Sequence, residues 1–172
     1  ISNILIAENL AQGDFSLTAG LLSTFSVINA ITQWGSESIQ NKYLSSISED
    51  SGIQATFAIQ EATPAFNPFQ LKTKVTNSNG QFTLQGEKTL VVLGETADLI
   101  LVNAEYNGKP DLFIVKRDST IRFKKSPSMG LKATETVNLI FDNTPAERLG
   151  DDDFNYTEFL DLGNFMWCAM AV

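Results

Sequence analysis

The sequence predicts an α+β protein: N-terminal helices, then an antiparallel β-barrel or sandwich of short strands, then a closing helix. Three observations carry this. From Ile4 to Ile47 apolar residues recur at helical spacing. Beyond Ile53 the pattern changes to short apolar runs separated by turn residues, as in antiparallel β domains. From Tyr156 onward the chain turns apolar again over a helix-length stretch. With 172 residues, 43% of them hydrophobic, the chain is long enough for an ordinary core, burying roughly 70% of its unfolded surface.

The first helix is expected over residues 1 to about 12, with Ile4, Leu5, Ala7 and Leu10 on one broad face. Gly13 and Asp14 break it, and Asp14 suits the N-cap of a second helix. In that helix Leu17, Leu21, Leu22, Phe25, Ile28 and Ile31 repeat as far as Trp34-Gly35. Ser36 caps a third, with Ile39, Tyr43 and Ile47 on its buried side and Glu37 in its first turn, where the helix dipole favours a carboxylate. The segment "SEDSG" closes the helical part. Strands are expected at 56–59, 71–76, 99–102, 111–115, 120–123 and 136–141. "EATPAFNPFQ" reads as an irregular loop held by two prolines, and "NSNG" as a hairpin turn. Between them and the 99–102 strand, Phe82 and Leu84 alternate as a strand, Gly86 to Thr89 reads as a turn, and 90–93 as a further apolar run ending at Gly94-Glu95. Asp151, Asp152 and Asp153 form a polar lead-in to a last helix over 156–172.

Composition narrows the chemistry. There is no His and only one Cys, so histidine-based catalysis, histidine metal sites, disulfides and cysteine zinc sites are excluded within this chain. Cys168, in an apolar run, reads as a small core residue. Twelve basic against 20 acidic residues give a net charge of −8, which argues against nucleic acid or an anionic membrane surface as partner. No run approaches ~18 uninterrupted apolar residues, so no membrane span is expected, and the start lacks the pattern of a signal peptide. The first residue is Ile1 rather than Met, and the last eight are apolar without a polar finish. The sequence therefore reads as a piece of a longer protein.

Several motifs have plain readings. "GEKT" fails as a phosphate loop, because five residues separate its glycines, Glu87 precedes Lys88, and strands rather than a helix flank it. Glu147 with Asp151 to Asp153 lacks calcium-loop spacing and reads as a solvated linker, so no metal site is expected. Asn155-Tyr156-Thr157 matches a glycosylation sequon, with nothing else to suggest secretion. Lys124 and Lys125 read as a solvated strand end, and Trp34 and Trp167 as core anchors.

Taken in order, "WGSESIQNKYL", "FAIQEATPAFN", "LQGEK", "MGLKATETVNLIFDN" and "FLDLGNFMWCAMAV" resemble the acyl-CoA dehydrogenase family. The resemblance implies that residues 1–52 end an N-terminal helical domain, 53–150 form a complete middle β domain, and 151–172 start a C-terminal helical bundle, here truncated. It implies an oxidoreductase of fatty acid metabolism that dehydrogenates acyl thioesters at the α,β bond. FAD is the implied cofactor, acyl-CoA the substrate, an electron-transfer flavoprotein a candidate acceptor, a homo-oligomer the assembly and the cytoplasm the location. No catalytic residue is expected in this chain, because the family's usual catalytic Glu lies further along and the position used in one branch is Gly163 here.

By the same resemblance the flavin-facing positions are Ile59, Gln60, Phe66, Leu90, Val91 and Val92, and the acyl-CoA-facing positions Phe66, Asp161 and Asn164. Several depart from the family pattern: Gln60 replaces a Thr, Ala65-Phe66-Asn67 a Gly-Ser-Asp, Leu90 a stacking aromatic, Val92 a hydroxyl residue and Asn164 an Arg. Each lost hydrogen bond weakens binding by roughly 0.5–1.5 kcal/mol. The resemblance thus leaves open a divergent FAD-dependent dehydrogenase, a family member without flavin serving as acyl-thioester binder, scaffold or partner subunit, and an oxidase or monooxygenase on the same fold. Glu61, the retained loop acid, is expected to be structural.

Overall fold

The computed structural model describes residues 2–48, 52–126, 130, 132–151 and 154–171. Helices α1 (Ser2–Gly13), α2 (Phe15–Trp34) and α3 (Glu37–Ser48) precede seven strands, β1 (Ala55–Ala58), β2 (Lys74–Ser78), β3 (Gln81–Val91), β4 (Leu99–Tyr106), β5 (Lys109–Lys116), β6 (Ile121–Lys125) and β7 (Val137–Arg148), and α4 (Tyr156–Met170) follows. The mixed α+β architecture read from the sequence is the one observed. Asp14 is the N-cap of α2, its carboxylate accepting from the Leu17 amide at 2.9 Å. Ser36 accepts from the Ile39 amide at the start of α3.

Pairing runs β4-β2-β3-β7-β5 and returns from β5 to β4, closing a barrel, with β1 added in parallel to β4 and β6 to β7. The ladders are antiparallel apart from β1–β4 and a single parallel contact, Lys74 with Glu105, between β2 and β4. The wholly aliphatic run at the start of β4 has a geometric cause. Successive side chains point to opposite faces of a strand; Ile100 and Val102 fill the barrel with Leu84, Phe113 and Leu139, while Leu99 and Leu101 pack outward on Val27, Ile31, Tyr43 and Phe159 of the helices. Both faces are buried, so neither tolerates a polar residue. The α3 helix is fastened to β7 by Glu147, which accepts from Lys42 Nζ at 2.6 Å and from the Tyr43 hydroxyl at 2.8 Å.

Several expectations are corrected. Gly86 to Thr89 is no turn: β3 runs unbroken from Gln81 to Val91, with register shifts at Leu84/Gly86 and Lys88/Val91 absorbing the irregularity. The turn lies instead at residues 92–96. β7 continues through Arg148, so Glu147 belongs to a strand rather than a solvated linker. The broad apolar face of α1 is split, with Ala7 buried and Leu5 and Leu10 exposed, and the apolar repeat of α2 likewise divides into buried Leu22 and Ile31 and exposed Leu17, Leu21 and Phe25. Cys168 and Trp167 are exposed, because the side of α4 that packs inward carries Phe159, Met166 and Met170. Asn155 is the N-cap of α4, accepting from the Glu158 amide, which gives the sequon asparagine a structural use. By length and composition α2 could also cross a bilayer; here it packs against β1 and its neighbouring helices. Met129, Leu131, Asp152 and Asp153 lie outside the described residues.

Candidate functional site

A cavity of about 630 Å³ opens between α2, the loop after β1, the end of β3 and α4, within the size range of ligand sites. The two outer walls come from opposite ends of the chain. Leu22, Ser26 and Asn29 line it from α2, and Asn164, Met166 and Trp167 from α4; the barrel supplies the floor. Among the described residues no lining side chain is ionisable, so they offer the cavity no proton donor or acceptor of the carboxylate or ammonium type. Its character is that of an apolar container with a few neutral hydrogen-bonding groups.

Of the positions named from the sequence, Ile59, Gln60, Phe66, Leu90, Val92 and Asn164 are brought together on its walls. Val91, expected to face the flavin by its backbone, turns its side chain into the barrel interior. Asp161 is exposed and lies off the cavity. The sequence reading missed Ser26, Asn29, Thr89 and Thr136, which also line it; the helical period could have placed Ser26 and Asn29 on the face shared with Leu22. Trp34, read as a core anchor, does pack edge-on against Phe154 and Phe159, and it also borders the cavity.

Local geometry explains how Leu90 reaches the site. The bulge between Lys88 and Val91 takes Leu90 out of the ladder, at φ 54°, and leaves the residue 54% exposed. Leu93 follows at φ 52°. Left-handed backbone in residues other than glycine costs on the order of 1 kcal/mol or more, and such strain concentrates at ligand sites. Hydrogen bonds hold the bulge: the Thr56 hydroxyl donates to the Val92 carbonyl at 2.6 Å, and the Leu93 amide to the Thr134 carbonyl at 2.8 Å.

Behind the wall lies a buried ion pair. Lys88 Nζ, with no exposure, donates to Glu61 Oε1 at 2.8 Å and to the Ile59 carbonyl at 3.3 Å. Glu61 also accepts from the amides of Lys72 and Thr73, and the Thr89 amide donates to the Gln60 carbonyl at 2.7 Å. The loop bearing Ile59, Gln60 and Phe66 is thereby clamped to β3. Burial lowers the Lys88 ammonium to about 8, with Glu61 opposing the shift. Burial alone would raise the Glu61 carboxyl, but the Lys88 and amide hydrogen bonds outweigh it and hold it below the usual range. The structural role expected for Glu61 has this geometry. A second tie joins α4: the Tyr156 hydroxyl donates to the Pro68 carbonyl at 3.1 Å and accepts from Asn103 Nδ2 at 2.7 Å. Burial pushes that phenol up to about 12.

Residues 56–144 match the sequence family described as acyl-CoA dehydrogenase, middle domain. A short-chain-specific acyl-CoA dehydrogenase of Megasphaera elsdenii is 32% identical over 163 residues, covering 87% of this chain and 42% of the relative. The mitochondrial short/branched chain specific acyl-CoA dehydrogenase of Rattus norvegicus is 30% identical over 154 residues, covering 83% and 34%. Among solved structures, butyryl-CoA dehydrogenase from Megasphaera elsdenii superposes with a TM-score of 0.84 at 26% identity, over 98% of this chain and 48% of that one. The FAD complex of PigA gives 0.84 at 17% identity over the same shares, a likeness of fold alone. The chain thus spans less than half the length of these relatives. It belongs to the acyl-CoA dehydrogenase family, with residues 56–144 as the middle domain.

Proposed function

We propose that the chain forms cofactor- and acyl-facing walls of a divergent FAD-dependent acyl-CoA dehydrogenase, which removes hydrogen across the α,β bond of an acyl thioester in fatty acid metabolism. The observation that carries this reading is the convergence of Ile59, Gln60, Phe66, Leu90, Val92 and Asn164 on one apolar cavity of about 630 Å³. The cavity suits a flavin ring by its volume and apolar walls: Leu90 and Val92 would lie against the ring, and Gln60, Thr89 and Thr136 offer hydrogen bonds to its polar edge. When bound, FAD supplies the acceptor for the β-hydride. This chain's residues exclude water, position the acyl chain and keep the loop wall fixed through Glu61 and Lys88. Since no ionisable side chain among the described residues lines the cavity, the reading assigns the α-proton acceptor to a carboxylate from outside these residues. The same reading takes an electron-transfer flavoprotein as acceptor, a homo-oligomer as assembly and the cytoplasm as compartment.

The apolar side chains at Phe66, Leu90 and Val92 favour a second reading, an acyl-thioester binder without flavin. The visible absorption of the full-length protein, as purified and after incubation with FAD, decides between them. A flavin band that bleaches on adding an acyl-CoA is the expected result. No band under either condition, with acyl-CoA still bound, would establish the binder instead.

A further inference from the structure

The α2 wall of the cavity is chemically mixed in a specific way. Ser26 and Asn29, three residues apart on one helical face, line a cavity otherwise dominated by apolar groups, and Asn164 lines it from α4. Hydroxyls inside helices ordinarily satisfy themselves by donating to the carbonyl four residues back. Their neighbours on α2 do so: Thr18, Ser23 and Thr32 donate to Asp14, Ala19 and Ile28 at 2.7, 2.9 and 2.8 Å. Ser26 and Asn29 make no such bond among the described residues, and neither does Asn164. All three keep their hydrogen-bonding capacity for whatever fills the cavity.

We propose that the acyl group taken by this cavity carries a neutral hydrogen-bonding substituent, a hydroxyl or carbonyl on its chain, recognised by Ser26 and Asn29 with Asn164 on the facing helix. A plain alkyl chain would displace water from these groups and give nothing back, leaving buried polar atoms unpaired. A site built to hydrogen-bond a substituent discriminates strongly against the analogue lacking it. A carboxylate substituent is disfavoured too, because no cationic side chain among the described residues lines the cavity to compensate its desolvation. The proposal rests on the cavity being an acyl-thioester site.

Isothermal titration of the full-length protein, without electron acceptor, tests it with two series of CoA thioesters: hexanoyl and octanoyl chains, each as the parent, the ω-hydroxy and the ω-carboxy form. The hydroxylated thioester of at least one series is expected to bind roughly three- to tenfold more tightly than its parent, and the carboxylated one more weakly than either. Ser26→Ala and Asn29→Leu, both helix-compatible, are each expected to shrink that preference while the parent binds as well or better. Equal affinity for hydroxylated and parent chains in both series overturns the proposal and leaves the acyl-thioester site standing. A preference that survives both substitutions also overturns it. Failure of every thioester to bind removes the acyl-thioester site and this proposal together.

Discussion

Lys88 is held without solvent contact between Glu61 and the Ile59 carbonyl, and the energetics of such a pair are asymmetric. Removing one partner strands the other charge in the interior at a cost of about 3–5 kcal/mol, whereas replacing both with apolar residues is often tolerated. Lys88→Met is therefore expected to destabilise the fold by about 3–5 kcal/mol in urea unfolding, and Glu61→Leu with Lys88→Met to recover part of that loss, since the Lys72 and Thr73 amides then lack their acceptor. The pH dependence has a definite sign. Between about 8 and the ordinary lysine value of 10.5, the unfolded chain holds a proton that the folded chain has released, so stability rises with pH across that window. The urea midpoint of wild type relative to Lys88→Met should thus be further ahead at about pH 9.5 than at about pH 7.5. Glu61 acts at the other end: its contribution is present above the ordinary value of 4.5 and is lost as the pH falls through its lower folded value. None of this was visible in "GEKT", where Gly, Glu and Lys together have the local chemistry of a turn. The partner that buries Lys88 lies 27 residues earlier, and a local reading has no access to it.

The elements were legible where their ends carry side-chain signals. Asp14 and Ser36 announce α2 and α3 through caps that the structure retains, and the NSNG turn joins β2 to β3. β3 was not legible as one strand, because a bulge preserves pairing through residues that locally favour a break. Gly86 makes this possible. Its φ is 150°, and a Cβ there would stand 2.7 Å from Thr73 Cα, a backbone atom that cannot swing aside. Gly86→Ala is expected to cost about 1–3 kcal/mol, seen as a lower Tm, with the β2–β3 pairing losing amide-exchange protection first. An unchanged Tm would show that β2 can move away from β3 at no cost. The apolar repeat of α2 does not say which of its residues are buried, because periodicity reports spacing and not which neighbours a helix has. Leu22 and Ile31 are buried, while Leu17, Leu21 and Phe25 stay half or more exposed.

For the molecule as a whole, the order of helices, barrel and closing helix was legible from changes of period alone, and the cavity was not. It depends on α2 and α4, more than 100 residues apart, meeting over the barrel. Leu17, Leu21 and Phe25 of α2 and Leu5, Ile6 and Leu10 of α1 are all exposed, and large apolar side chains grouped on a surface mark interaction sites or sticky faces. This chain alone is expected to enhance the fluorescence of a hydrophobic dye. Replacing Leu17, Leu21 and Phe25 together with Gln should lower that signal while leaving far-ultraviolet circular dichroism unchanged; an unaltered signal would place the dye elsewhere. The split origin of the cavity walls has a further consequence for biosynthesis. A ribosome delivers the chain from its N-terminus at roughly 5–20 residues per second, so the α2 wall and the barrel floor emerge well before α4. Until Tyr156 has cleared the exit tunnel and reached Pro68 and Asn103, there is no enclosed space for a ligand to enter. The nascent barrel must therefore stand on its own packing, and any ligand assistance to folding that needs both walls can begin only once α4 has emerged.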